Sequence, residues 1–182
     1  MNNTNVLKYT SLQQGIFHVL CQTAGTKINQ RTLATKLKVT PSAISRALPA
    51  LEQDNSIIVK EDKVMNLKEI QLNRENYRAV QLKRVENLRA LYLSGCVDFL
   101  AETYAGATII LFGSYSRGED TASSDIDIGV FEAKEKKINL ASYEKQLARP
   151  IRLMVVTSLD KLSKEFKENI LNGIVLIGGI TL

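Results

Sequence analysis

Ala107-Thr-Ile-Ile-Leu-Phe-Gly-Ser-Tyr-Ser-Arg-Gly-Glu-Asp-Thr-Ala-Ser-Ser-Asp-Ile-Asp-Ile-Gly-Val-Phe131 sets two apolar runs on either side of a polar loop that ends in acids. The first run, Thr108 to Phe112, is apolar and β-branched enough for a buried strand, and Gly113-Ser114 stops it with a residue that tolerates backbone conformations closed to others. In the second run Asp125, Asp127 and Gly129 alternate with Ile126, Ile128 and Val130. Side chains alternate faces along a strand, so both carboxylates project to one side while the isoleucines enter the core.

Two carboxylates that close repel unless a positive group lies between them, and an oxygen-liganded divalent cation such as Mg²⁺, itself holding phosphates, is the usual solution. The Gly113-Ser114 turn supplies the complement: backbone N–H groups, the Ser114 hydroxyl and the start of a short helix cradle phosphate oxygens. Gly-Ser, ten residues, then Asp-x-Asp reads as metal plus polyphosphate.

At these residues the chain resembles the nucleotidyltransferases of the polymerase-β-like fold, above all their minimal members, whose signature is present as Gly113, Ser114, Asp125 and Asp127. Leu111-Phe112 and Arg117-Gly118 also look like that family, so the match spans some twenty consecutive residues. The resemblance implies transfer of a nucleoside monophosphate, most simply AMP from Mg-ATP. Gly113 and Ser114 would hold the triphosphate, and Asp125 and Asp127 would ligate Mg²⁺. Arg117 either adds a phosphate contact or is a solvated loop arginine. Glu119 and Asp120 read as solvated loop acids.

The family's third carboxylate lies on a later strand, where it completes the metal site and helps deprotonate the attacking hydroxyl. Here that strand reads Ile151-Arg152-Leu-Met-Val-Val156, and Arg152 stands in the acid's place. Glu132 has the wrong parity to replace it, and Asp160 is explained by the first turn of a helix, where an acid suits the dipole.

Working outward, the first 73 residues read as three short helices and a hairpin. Ser11-Leu-Gln-Gln14 has capping-box spacing, and Leu12, Ile16, Val19 and Leu20 share a face of a helix running to about Ala24. His18, the only histidine, reads as a helix-face residue. A second helix spans about Gln30 to Lys38, and Thr40-Pro41 caps and opens a third. In it Ile44, Ala47, Leu48 and Leu51 form the buried stripe and Ser42, Ser45 and Arg46 point outward, a face suited to a DNA groove. Pro49 is expected to kink or shorten this helix. Ile57–Lys60, a polar turn at 61–63 and Val64–Leu67 read as a wing. Over residues 10 to 68 this resembles the winged helix-turn-helix domains of prokaryotic regulators; docking or dimerisation of a protein is the alternative use of such a domain.

The fold class is therefore α+β in two domains: a winged helix (1–73), a linker helix (74–105) and a C-terminal mixed-sheet nucleotidyltransferase-like α/β domain (106–182). In the linker Tyr77, Val80, Val85, Leu88, Tyr92, Cys96, Phe99 and Leu100 recur at helical steps, an apolar stripe that would pack on either domain or on a second copy in a homodimer. Further helices are expected over 140–148 and 159–171, and a strand over 174–177.

The composition, 45% hydrophobic and 24% charged in 182 residues, is that of a globular protein. Cys21 and Cys96 are too far apart in sequence and too isolated for a zinc or disulfide framework, which fits a reducing cytoplasm. The chain lacks signal-peptide features and a membrane-length apolar run. Of the net charge of +5, most lies in residues 1–73, with nine Lys/Arg against five Asp/Glu, while residues 106–182 balance at ten each. That asymmetry is compatible with nucleic acid at the N-terminal domain.

Two functions follow as expectations. One is a DNA-binding nucleotidyltransferase that modifies a protein partner, an arrangement the minimal family's association with toxin–antitoxin pairs makes plausible by analogy. The other is a winged-helix regulator whose nucleotide-binding domain is catalytically silent. A polymerase or tRNA-modifying enzyme is disfavoured, because about 77 residues leave no room for an acceptor domain.

Overall fold

The computed structural model describes residues 9–62, 67–158 and 162–180. The chain divides between Val80 and Gln81 into two compact units, so that residues 81–105 fall inside the second.

The first unit runs α1 (Ser11–Gln22), β1 (Ile28–Asn29), α2 (Gln30–Leu37), α3 (Pro41–Gln53), β2 (Ile57–Asp62) and β3 (Leu67–Leu72). The strands form an antiparallel sheet in the order β1-β3-β2, which with the three helices makes a winged helix-turn-helix. Its capping box is one residue earlier than Ser11 suggests. Thr10 accepts from the Gln13 N–H through its hydroxyl, and the Gln13 side chain accepts from the Thr10 N–H; Thr10-x-x-Gln13 satisfies the same spacing rule and leaves Ser11 as the first helical residue. Helix α3 begins as expected, with Thr40 as N-cap and Pro41 following, but it continues through Pro49 to Gln53. Burial of Leu48 and Leu51 on either side of the proline offsets the hydrogen bond it removes. The wing pairs Ile57–Asp62 with Leu67–Leu72, so its second strand starts where the sequence reading ended it. Glu61 and Asp62, expected in the turn at its tip, instead belong to β2 and pair with Lys68 and Leu67, while residues 63–66 lie outside the described residues.

The second unit continues with α4 (Tyr77–Leu93, begun before the boundary), α5 (Cys96–Thr103), β4 (Thr108–Phe112), α6 (Gly113–Arg117), β5 (Ile126–Phe131), α7 (Ala141–Leu147), β6 (Ile151–Val156), α8 (Lys164–Leu171) and β7 (Ile174–Ile177). The sheet order is β6-β5-β4-β7, with β5 and β6 parallel and the other pairs antiparallel, a mixed sheet as expected. Strand β4 is buried along its whole length. One face of the sheet packs Ile109, Leu111, Ile126, Ile128 and Val130 with α5 and α7 residues; the other packs Ile110, Phe112 and Phe131 with Phe166 and Ile170 of α8. Ile126 and Ile128, on either side of Asp127, do enter the core, and Asp127 shares the second face near its exposed end. Leu159 and Asp160, read as the start of the last helix, lie outside the described residues; the helix that is described begins at Lys164 with Ser163 as its cap.

Helix α4 departs most from its sequence pattern. Tyr77, Val85 and Tyr92, three of the expected inward residues, are 78%, 61% and 46% exposed. The buried residues are Ala79, Lys83, Asn87 and Leu91, a stripe at four-residue steps whose centre is polar. The helix ends at Leu93, and Gly95, with φ +75°, makes the turn into α5. Both cysteines are buried, and burial pushes the Cys96 thiol up to about 11, as suits an inert core residue. No helix among the described residues is long and apolar enough to cross a membrane.

Candidate functional site

Strand β4 ends at Phe112, which pairs in register with Asp127 on β5. The chain then turns through Gly113, whose φ of +73° is a left-handed conformation, into the short helix α6. A Cβ built on Gly113 would lie 2.4 Å from the Asp127 Oδ2, so the carboxylate stands directly against this glycine's backbone. Burial raises the Asp127 pKa; the Arg152 charge opposes the rise and the Asp125 charge adds to it. Gly113, Ser114, Asp125 and Asp127 are thus brought to one end of the β4/β5 pair.

Arg152 belongs to the same place. On the parallel strand β6 it is the register partner of Asp127, and its Nε lies 2.5 Å from the Asp125 Oδ2. The position that an acid would fill therefore carries a guanidinium bonded to one of the two carboxylates. Two hard oxygen donors suit Mg²⁺, yet no group of three His, Cys, Asp or Glu that could hold a metal exists among the described residues. The donor set fits one ion completed by phosphate oxygens and does not fit two.

Arg117 is exposed, and its Nε donates to the Glu119 carboxylate at 2.7 Å. An incoming phosphate would have to compete with that contact. In the first unit Ser42 and Arg46 are exposed on α3, with the Ser42 and Thr40 hydroxyls 3.0 Å apart. Ser45 is different: it is half-buried and accepts from Gln30 Nε2 at 3.1 Å, which also donates to the Pro41 carbonyl. That hydroxyl ties α2 to α3, and only Ser42 and Arg46 of the expected DNA-facing set are presented outward.

The loop acid Asp120 is the largest correction. It is fully buried, not solvated. One oxygen accepts from the fully buried Lys83 ammonium and from Asn87 Nδ2 at 2.7 Å, while the other lies 3.0 Å from Arg149 Nη2. Asn87 also donates to the Tyr115 carbonyl at 3.0 Å, the Tyr115 hydroxyl donates back to the Asn87 carbonyl at 3.3 Å, and Arg149 donates to the carbonyls of Thr121 and Ser124. Helices α4 and α6, the loop between Gly113 and Asp125 and the entrance to β6 are thereby tied together from beneath. Sequence patterning does not reveal Lys83, Asn87 or Arg149, because a lysine and an asparagine inside a helix and an arginine in a loop read as surface residues; Lys83 and Asn87 carry one signal, the four-residue spacing onto the buried Leu91.

Comparison with known proteins agrees with this anatomy in the second unit. The family model described as "Nucleotidyltransferase domain" matches residues 93–177, which include every residue of the Gly113–Asp127 signature and Arg152. Among solved structures, the adhesin competence repressor AdcR of Streptococcus pyogenes is similar at 17% identity and a TM-score of 0.42, over 57% of this chain and 72% of that one. A ZitR variant of Lactococcus lactis is similar at 19% identity and a TM-score of 0.41, over 58% and 68% of the respective chains. No curated protein matches the sequence.

Proposed function

We propose that this protein is a DNA-binding nucleotidyltransferase, whose C-terminal unit moves a nucleoside monophosphate, AMP from Mg-ATP, onto a protein or other acceptor while its winged helix docks on DNA. The observation that carries the reading is the Asp127 carboxylate held against Gly113, with Asp125 two residues away: an anionic pair meets a glycine turn that opens a short helix without a side-chain cap. Such a junction suits a cation and polyphosphate, which neither half would hold alone. The matching family model supports the same reading.

In the proposed reaction an acceptor oxygen bonds to the α-phosphorus, the bond from that phosphorus to its bridging oxygen breaks, pyrophosphate leaves with the electron pair, and the acceptor's proton passes to solvent. A bound Mg²⁺ would supply charge neutralisation on the phosphates. The protein's part is to orient: Gly113 and Ser114 present donors to the phosphates, and the two aspartates fix the position of the charge. Strand β6 offers no carboxylate to take the acceptor's proton.

The contact between Arg152 and Asp125 favours a second reading, a winged-helix regulator with a catalytically silent nucleotide-binding domain. The two separate in one experiment. The protein is incubated with Mg²⁺, ATP labelled on the α-phosphate and lysate of its own source, beside an Asp125→Asn, Asp127→Asn variant. Aspartate-dependent label on a macromolecule is the expected result; no label from folded wild-type protein would establish the regulator.

DNA binding has a separate expectation. Arg46→Ala should weaken binding to a cognate operator about five- to tenfold, and wild-type affinity should fall as salt rises, because phosphate contacts release counterions. Binding that is indifferent to both changes would leave the winged helix as a protein-docking module.

A further inference from the structure

Arg152 and Arg149 stand three residues apart and have opposite surroundings. The Arg149 side chain is 4% exposed and locked on Asp120, whereas the Arg152 side chain is 75% exposed and held at its tip by Asp125. Arg152 can leave Asp125 without disturbing the core. While it stays, it lies on the strand next to Asp127 and bonds Asp125, so a divalent ion approaching the pair meets a cation already in place. Removing a unit charge a few ångströms from a doubly charged ion at a partly exposed site changes its affinity by about an order of magnitude or more. A triphosphate changes the balance, since its oxygens match a guanidinium at least as well as a single carboxylate does and bring several negative charges.

We propose that Arg152 gates the cation site: in the free protein it holds Asp125 and keeps divalent ions off the carboxylate pair, and an ion is admitted only with a nucleoside triphosphate, whose phosphates draw Arg152 away. This rests on the proposed role of Asp125 and Asp127, and it makes Arg152 a nucleotide-sensing residue in place of a lost acid. The ordered consequence is that the apoprotein has little affinity for free metal, while the metal–nucleotide complex binds as one ligand.

The test uses the full chain and two readouts that do not depend on turnover. Binding of Mn²⁺ alone is followed by electron paramagnetic resonance, and binding of a fluorescent, non-hydrolysable ATP analogue is followed with Mg²⁺ present. For Arg152→Gln the expected result is Mn²⁺ affinity raised about tenfold or more, lost again when Asp125→Asn and Asp127→Asn are added, with analogue affinity lowered several-fold. Unchanged Mn²⁺ affinity in Arg152→Gln would overturn the gate, as would a gain that survives removal of the aspartates. Undetectable analogue binding by the wild type would instead refute the nucleotide site itself, and with it the nucleotide-triggered half of the gate.

Discussion

Lys83→Met is expected to lower the melting temperature of the C-terminal unit by about 15 °C or more, the largest stability change in this protein. The substitution nearly preserves the length and apolar stem of the side chain, so little packing is lost. What it removes is the ammonium that neutralises a fully buried Asp120. Breaking one side of a buried pair costs about 3–5 kcal/mol, and in a unit of this size each kcal/mol shifts the midpoint by about 4–8 °C. Arg149 and Asn87 remain on Asp120 and soften the loss, which places the expectation at the lower end of that range. Asp120→Asn should be damaging for the opposite reason, since it leaves Lys83 and Arg149 facing each other without the charge between them. Thermal melts followed by circular dichroism at neutral pH decide the matter. A shift of under about 3 °C for both variants would mean that water reaches the cluster and that the loop is not held from beneath.

That cluster also shows where the sequence stops being legible. The β4 and β5 strands, the inward isoleucines and the Thr40-Pro41 start of α3 are legible because each is set by local alternation, capping or the fixed φ of proline, whereas the mixed sheet follows only from the family resemblance. Position 120 is not legible. Whether a loop acid is solvated depends on what the rest of the chain places above it, and here the partners come from 37 residues upstream and from Arg149 beyond the next helix. The same blindness explains α4. Its apolar residues predict the inward face, but burial of Lys83 and Asn87 for the sake of Asp120 rotates the helix so that Tyr77, Val85 and Tyr92 face out. Ser45 repeats the lesson on a smaller scale: small polar residues on α3 look alike in sequence, and the Gln30 amide decides which of them is engaged. Arg152, by contrast, was visible as an anomaly; what the structure adds is the carboxylate it has taken as a partner.

The same logic makes Gly113→Ala the sharpest test of the site. Alanine would have to hold φ near +73°, at a cost of about 1–2 kcal/mol. Its methyl group would also fall 2.4 Å from the Asp127 Oδ2. The atom in the way is the end of a short side chain, so the fold can survive by rotating that carboxylate aside. The site cannot, because the carboxylate is the group displaced. The expected outcome is therefore a protein that remains folded, with a melting temperature lowered by about 5–15 °C, and with aspartate-dependent label transfer reduced about a hundredfold or more, as misplacement of a catalytic group by an ångström would produce. Binding of the Mg²⁺–ATP analogue should fall in parallel. Because alanine acts by moving Asp127, adding Asp127→Asn to Gly113→Ala should cost little beyond either change alone, a non-additivity expected of residues in direct contact. Transfer within about threefold of wild type in a folded Gly113→Ala protein would show that the carboxylate's position against the glycine is incidental, and the reaction would then have to be sought elsewhere on the sheet. A strictly multiplicative double variant would separate the two residues in the same way, leaving Gly113 to the turn and Asp127 to the charge.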